Sequence, residues 1–173
     1  SGGARTALTR SMQIDGNSNI SFYDSAGSNA KFFWDSNAES LGIGTDSPGS
    51  FFSGASQLVV GSGSSDQGMT IYSGTAGNSQ IFFADGTSGA DAYRGIVRYR
   101  HDDNAMAFYT DGANERMRID SSGNVSIGTS SASGYNSNFN TLVVGNTGGN
   151  NGITIAASTS GDASIGFADG QTG

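Results

Sequence analysis

The chain has no cysteine, a single proline and few basic residues. Its 173 residues include eight Lys or Arg against fifteen Asp or Glu, a formal net charge of −7. The absence of cysteine excludes disulfides and the usual structural zinc sites. The acidic balance argues against nucleic-acid binding, because phosphates need a basic surface. No apolar run approaches the roughly 20 residues of a membrane-spanning helix, so we expect no membrane insertion.

Long helices are also missing from the predicted structure. The 28 glycines, together with many Ser, Asn and Thr, interrupt every apolar 3.6-residue period. Short alternating apolar stretches are instead separated by turns rich in Asp, Asn and Gly. This pattern predicts an all-β chain of about 14 short strands. Hydrophobic residues make up only 35% of the chain, so we expect its apolar faces to be buried against other copies of itself.

An internal repeat organises most of the sequence. The strings "IGT", "LVVG", "GMTI" or "GITI", and "IFFADG" or "IGFADG" each recur after 84 residues. We therefore divide the chain into an N-terminal unit (1–42), a complete repeat (43–126) and a truncated second copy (127–173). A shorter echo relates "KFFWDSNAESLGIGT" at 31–45 to "AFYTDGANERMRI" at 107–119.

Comparison of the two copies indicates which face of each strand is buried. Ile81 and Phe83 recur as Ile165 and Phe167, whereas the intervening Phe82 is replaced. Successive side chains of a strand point to opposite faces, so the retained apolar set predicts a core face shared between copies of the chain. The residues predicted for this core are Ile43, Leu58, Val60, Met69, Ile71, Ile81, Phe83, Met117, Ile119, Val125, Ile127, Leu142, Val144, Ile153, Ile155, Ile165 and Phe167.

Two segments carry a resemblance to a known family. "SMQIDGNSNISFYDSAGSNAKFFWDSNAESLGIGT" at 11–45 and "NERMRIDSSGNVSIGTSS" at 114–131 closely resemble the shaft repeats of bacteriophage tail fibres. Such repeats, of a type common in marine phages and cyanophages, often precede a C-terminal intramolecular chaperone domain. The chain contains no segment that resembles that domain, so its self-cleaving activity is not expected here.

The resemblance implies an elongated homotrimer, built as a triangular β-prism or an intertwined triple β-helix. The predicted core would then lie on the trimer axis, a geometry that a one-sided apolar pattern also favours. It further implies a structural, non-enzymatic part of the virion, which projects a host-receptor-binding tip and joins adjoining tail or fibre segments. We expect no cofactor.

The charged stretch "YRGIVRYRHDD" is a candidate surface site. Arg98, Arg100 and His101 could bind an anionic sugar, and three copies of the histidine on an axis could hold a metal. A structural role is favoured, because the two arginines alternate along one strand and a single histidine is a weak ligand set. The carboxylates available as their partners are those of Asp111, Glu115 and Asp120.

Aromatic residues are the candidate contacts for a host glycan. Trp34 lies in the cluster "FFW", where adjacent side chains must point to both faces, so packing is favoured for most of them. Tyr72 and Phe82 are replaced by Ala156 and Gly166 in the second copy, which marks an outer face free to vary. These residues support an alternative interpretation as a glycan-binding module of the fibre.

Metal binding and catalysis have weaker sequence support. "DGNSN" at 15–19 begins like an EF-hand loop, but Ile20 and Ala26 occupy the positions of the loop glycine and the final glutamate. An Asp-Gly turn is the simpler interpretation. The acidic residues lie almost entirely in turns rather than as a pair across a cleft, although a depolymerase site built between chains stays open. A trimeric bacterial adhesin, or another extracellular filament, is a further alternative.

Overall fold

The computed structural model describes residues 10–138, 140–146 and 148–165, which form two β-sheets connected by turns and short 3-10 segments. The chain is all-β, as the sequence predicts: the described residues contain no α-helix. None of them forms a helix that could cross a membrane. The chain divides into two compact units, Ser1–Thr70 and Ile71–Gly173, each with one of the sheets.

The first unit contains a five-stranded sheet in chain order. Its strands are β1 (Met12–Ile14), β2 (Ile20–Tyr23), β3 (Ala30–Asp35), β4 (Ser40–Ile43) and β5 (Leu58–Val60). Strands β1 to β4 are antiparallel neighbours, whereas β5 is parallel to β4. The crossover between β4 and β5 carries two 3-10 turns, at Pro48–Ser50 and Ser53–Ala55.

The second unit contains a six-stranded sheet, also in chain order. Its strands are β6 (Asn78–Phe83), β7 (Gly95–Arg100), β8 (Ala105–Thr110), β9 (Asn114–Ile119), β10 (Val125–Ile127) and β11 (Leu142–Val144). All neighbours are antiparallel except β10 and β11, which are parallel. A 3-10 segment at Gly89–Tyr93 lies between β6 and β7, and another at Ala132–Gly134 lies in the final crossover.

The two sheets end in the same three-strand arrangement. In the first, Phe32 faces Ile43 and Ile43 faces Val60; in the second, Met117 and Val144 face Ile127 from either side. Strands β3, β4 and β5 are therefore the counterparts of β9, β10 and β11. The sequence echo between 31–45 and 107–119 instead aligns β3 and β4 with β8 and β9, one strand earlier than their structural counterparts. The reason is that alternation alone does not distinguish neighbouring strands of a sheet.

Asp side chains close several of the hairpins. Between β9 and β10, Asp120 Oδ1 accepts the backbone N–H groups of Ser122 and Asn124, both at 2.9 Å, and Oδ2 accepts the Asn124 side-chain amide at 3.0 Å. Strands β9 and β10 within "RMRIDSSGNVSIGT" therefore form an antiparallel hairpin. Asp15 and Asp24 accept equivalent bonds from the asparagine that ends their own turns.

Glycines mark the point where each parallel strand pair ends. Gly128 follows β10 with φ +82° and lies against Gly145, which follows β11. Gly44 and Gly61 stand in the same relation after β4 and β5, and φ at Gly44 is +87°. The recurring "IG" and "VVG" strings are thus explained by a left-handed backbone position and a close approach of two main chains.

Two predicted strands do not form. The stretches 66–74 and 150–158, which contain "MTIY" and "ITIA", have no ladder partner, no turn and no bend. The described residues hold eleven strands rather than about 14. A strand requires a neighbour to complete its hydrogen bonds, and the described part of the chain supplies none to these stretches.

Candidate interaction surface on the apolar sheet faces

One face of the second sheet carries an uninterrupted apolar row. Its members face one another in register across all six strands and are Ile81, Val97, Phe108, Met117, Ile127 and Val144. A second row on the same face contains Tyr99, Met106, Ile119, Val125 and Leu142. Much of this surface is open, with Ile81 at 44% and Leu142 at 57% exposure. A contiguous exposed apolar patch of this kind is typical of an interaction site.

The first sheet carries the same feature. One row contains Met12, Phe22, Phe32, Ile43 and Val60, and the next contains Ile14, Ile20, Trp34, Leu41 and Leu58. Phe22 and Phe32 pack edge to face, with ring centres 5.2 Å apart. Exposure reaches 63% at Ile14, so this apolar face also lacks a cover among the described residues of its unit.

The opposite face of each sheet is covered by the chain's own crossover. In the first unit the 3-10 turn Pro48–Ser50 lies against β3 and β4, and Ser40 is fully buried. In the second, Ser131 and Ala132 of the crossover line a cavity of about 200 Å³ together with Arg118, and Ser126 is buried. Ser40 and Ser126 are thus buried on the covered side, while the large residues of the apolar rows face outward on the other side.

A partly buried ionic cluster lies beneath the second crossover. Arg118 donates from Nε to Glu115 Oε1 at 2.8 Å and from Nη1 to Asp103 Oδ2 at 2.7 Å. The Tyr109 hydroxyl donates to Glu115 Oε2 at 2.9 Å. In the first sheet the residue equivalent to Arg118 is Phe33. Arg118 follows Met117 of the apolar row, and Phe33 follows the equivalent residue Phe32. An ion pair thus stands in one sheet where the other has an aromatic ring.

The cluster shifts the pKa of its members. Hydrogen bonding to Glu115 raises the pKa of Arg118 further above its ordinary value. Burial opposes ionisation of Glu115, but the bonds from Arg118 and Tyr109 outweigh it and lower the pKa of the carboxyl. Burial, and then the neighbouring Glu115, raise the pKa of the Tyr109 hydroxyl. The glutamate is therefore held as a carboxylate.

Arg98, a candidate for anion binding, is held by neutral groups of its own sheet. Its Nε donates to Gln80 Oε1 at 2.7 Å. Its guanidinium carbon lies 4.5 Å from the centre of the Tyr109 ring, within the range of a cation–π contact. The side chain is half-buried.

Arg100 and His101 are also engaged within the sheet. Arg100 Nη2 lies 3.4 Å from the carboxylates of both Asp102 and Asp103 in the following turn. The His101 Nε2 atom lies 3.1 Å from the Ser79 hydroxyl. The charged stretch thus does not present a cluster of free donors toward one point.

The carboxylates expected to pair with Arg98 and Arg100 have other partners. Glu115 bonds to Arg118, and Asp111 lies 3.5 Å from Arg94. Asp120 accepts hydrogen bonds within its own turn. Among the described residues of one chain, Arg98 and Arg100 therefore form no cross-strand ion pair with these three carboxylates, and Arg100 instead pairs with Asp102 and Asp103 of the adjoining turn. Pairing of these groups between chains stays a prediction.

The three candidate aromatic contacts lie in different surroundings. Trp34 is half-buried in the apolar row of the first sheet, between Ile20 and Leu41. Phe82 is 50% exposed on the crossover-covered side of the second sheet, and Tyr72 is 94% exposed in the stretch without strand partners. No single site brings the three together within either unit.

The predicted core residues lie mainly on the open apolar faces. The members that lie on strands of these faces are Ile43, Leu58, Val60, Ile81, Met117, Ile119, Val125, Ile127, Leu142 and Val144. Phe83 lies two residues beyond Ile81, on the same side of β6. Met69, Ile71, Ile153, Ile155 and Ile165 are exposed and outside any strand. Phe167 lies outside the described residues. The burial of this set between copies stays a prediction.

Sequence reasoning missed part of the apolar face. Val97 and Tyr99 on β7, and Met106 and Phe108 on β8, belong to its rows. Their alternation is visible in "GIVRYR" and "AMAFYT", but the arginines of the first string are more typical of a surface site than of an apolar face. These strands have no counterpart in the truncated second copy, so comparison of copies could not reveal them.

Among the described residues, no group of three or more His, Cys, Asp or Glu is arranged so that it could hold a metal ion. At the turn "DGNSN", Asp15 Oδ1 accepts the N–H groups of Asn17 and Asn19 at 2.8 and 3.0 Å. The carboxylate is thus occupied by the turn itself, as the simpler interpretation predicts.

Comparison of the chain with protein-family models and with curated proteins gave no match.

Proposed function

We propose that this chain is a structural segment of the shaft of a phage tail fibre. In this proposal three copies pack their apolar sheet faces on a common axis, and the resulting rod holds a receptor-binding tip away from the virion. The repeat lengthens the rod, and burial of the apolar rows stiffens it. The role is mechanical, without a cofactor or a chemical step.

The continuous apolar row from Ile81 to Val144 carries this proposal. A monomer leaves that face open, and complete burial of a fully exposed large apolar side chain is worth about 1.5–3 kcal/mol, of which each half-exposed member of the row gains a part. Most residues of the opposite face are already buried or half-buried, with Phe82 an exception, so the apolar rows are the larger surface that requires a partner. The same one-sided arrangement in both units favours a repeated contact between copies over a single binding site.

The distribution of charge also supports self-association through this face. With a net charge of −7, copies repel one another at long range, so a specific association needs a large apolar contact. The apolar rows themselves contain no charged residue in either sheet. Burial of these rows therefore leaves no unpaired charge.

Sedimentation and electron microscopy of the purified chain test the proposal together. We expect a trimer that persists at submicromolar concentration, and particles that are rods with three-fold symmetry. A stable monomer in sedimentation would overturn the proposal. A globular trimer would retain self-association but remove the role as a shaft.

A second candidate function is binding of a host-surface glycan. The observation that favours it is the 94% exposure of Tyr72, together with its replacement by Ala156 in the second copy. An exposed aromatic ring can stack on a sugar. Glycan-array binding by the chain, lost in Tyr72→Ala and kept in Tyr93→Ala, would support this role. Equal signals for both variants would count against it.

A further inference from the structure

The two stretches 66–74 and 150–158 share an unusual combination of properties. Both run without a turn or bend, and both are exposed along nearly their whole length. Their alternate apolar residues Met69, Ile71, Ile153 and Ile155 are 40 to 64% exposed. The stretches are 84 residues apart and equal in length, so the feature belongs to the repeat.

The main chain of these stretches makes no backbone hydrogen bond except at their last residues, where the carbonyls of Gly74 and Ser158 each accept one turn bond. Among the described residues, none from 62–73 or 152–157 makes a backbone-to-backbone hydrogen bond. The nearest polar contact comes from a side chain, because the Ser79 hydroxyl donates to the carbonyl of Ile71 at 2.8 Å. Straight, apolar-alternating backbone with free N–H and C=O groups is the form in which a chain adds to a sheet edge.

The same chain offers a matching edge. Strand β6 (Asn78–Phe83) is the end of its sheet, so one side of it has no neighbour. It is uncharged, like the stretch 67–74. The chain's own stretch meets this strand only at Ser79 and leaves the edge from Gln80 to Phe83 open.

We propose that the stretch 66–74 adds as a strand to β6 of a second copy of the chain, and that the equivalent stretch 150–158 likewise pairs with another copy. This inference rests on the proposed self-association and specifies how the copies are joined. The added strand places Met69 and Ile71 beside Ile81 and Phe83, which extends the apolar face by one strand. It also covers the exposed edge of β6, which would otherwise be an aggregation site.

Hydrogen–deuterium exchange on the full chain tests the inference. In the assembled protein we expect amides of 67–73 and 151–157 to exchange at least about 100-fold more slowly than free peptide, since exchange then requires opening of strand pairs. The turn 62–65 serves as an internal control and should exchange rapidly. Rapid exchange of both stretches in a trimer would overturn the inference and leave the proposed function intact.

A variant that does not assemble separates pairing between copies from pairing within one chain. Phe108→Asn with Ile127→Asn changes two exposed members of the apolar row, at 36% and 42% exposure, so each sheet should still fold. We expect this variant to lose protection in the two stretches while β8 and β9 keep theirs. Protection retained in a monomer would place the pairing within the chain and overturn the inference. A wild-type protein that is itself monomeric would overturn the proposed function as well.

Discussion

Glu115 and Arg118 form a two-point ion pair on the covered face of the second sheet. Arg118 Nε lies 2.8 Å from Oε1 and Nη2 lies 3.0 Å from Oε2 of the glutamate. The two side chains are only 10% and 13% exposed. Replacement of only one partner of such a pair lowers the stability of the fold, because the other charge is left without compensation.

We therefore expect Arg118→Met to lower the free energy of unfolding by about 3 kcal/mol. The double variant Arg118→Met with Glu115→Gln should recover part of this loss, because the more buried of the two carboxylate partners of Arg118 is then uncharged. Chemical denaturation of the four proteins in a double-mutant cycle gives the coupling. Arg116→Met is the matched control, since Arg116 is exposed and should cost less than about 0.5 kcal/mol. Equal losses for Arg116→Met and Arg118→Met would contradict the assigned role.

The two sides of strand β6 should respond differently to the same substitution. Ile81 belongs to the open apolar row, whereas its neighbour Phe82 points to the other side. We expect Ile81→Asn to weaken self-association at least about tenfold, equivalent to 1.4 kcal/mol, and Phe82→Asn to leave it nearly unchanged. Sedimentation over a concentration series measures both. A stronger effect at Phe82 would place the interface on the opposite face.

Acid should destabilise the hairpins through their aspartates. Hydrogen bonds from Asn19 lower the pKa of Asp15, and those from Asn29 lower the pKa of Asp24. At Asp120 burial acts in the opposite direction, but the bonds from its own turn prevail and lower the pKa. A group whose pKa is lower in the folded state contributes stability above its unfolded pKa and loses it as pH falls through the folded value.

We therefore expect the thermal midpoint to be nearly constant from pH 7 to about 5 and to fall as the pH drops below the ordinary aspartate pKa of 3.8. Circular dichroism melts at a series of pH values measure this. Asp120→Asn should reduce the acid dependence and lower stability at neutral pH by about 1 kcal/mol, the usual value of a side-chain hydrogen bond. A midpoint that rises on acidification would have the wrong sign for these turns.

Gly128 should tolerate no side chain without loss of stability. Its φ of +82° lies in the left-handed region, and a Cβ there would lie 3.5 Å from Gly145. We expect Gly128→Ala to cost about 1–2 kcal/mol. Gly134 has no positive φ and open space around it, so Gly134→Ala should be close to neutral. Denaturant midpoints compare the two, and equal values would remove the proposed backbone requirement.

Much of this fold follows from the sequence. Alternation in "RMRI" and "VSI" around an Asp-Ser-Ser-Gly-Asn turn predicts the hairpin of β9 and β10, because a turn closed by its own aspartate depends on neighbouring residues only. The all-β class is predicted for the same reason. Local turn chemistry and a period of two are sufficient for both.

Other features depend on distant parts of the chain. The pairing of Arg118 with Asp103, which lies 15 residues away in the turn between β7 and β8, is a contact that alternation does not specify. Nor does alternation reveal that "MTIY" lacks a strand partner whereas "IFFAD" has one. Both strings have the same local pattern, and a ladder partner is supplied only by the tertiary arrangement.

The sequence by itself determined the repeat of 84 residues, the short strands and the one-sided apolar pattern. These are local properties, fixed by side-chain alternation and by turn residues. Only the tertiary structure decided which strands are neighbours, that each parallel pair is joined by a crossover, and that the crossover covers one face while the apolar rows stay open. The physical reason is that sheet pairing and burial join residues far apart in the chain, which no local pattern specifies.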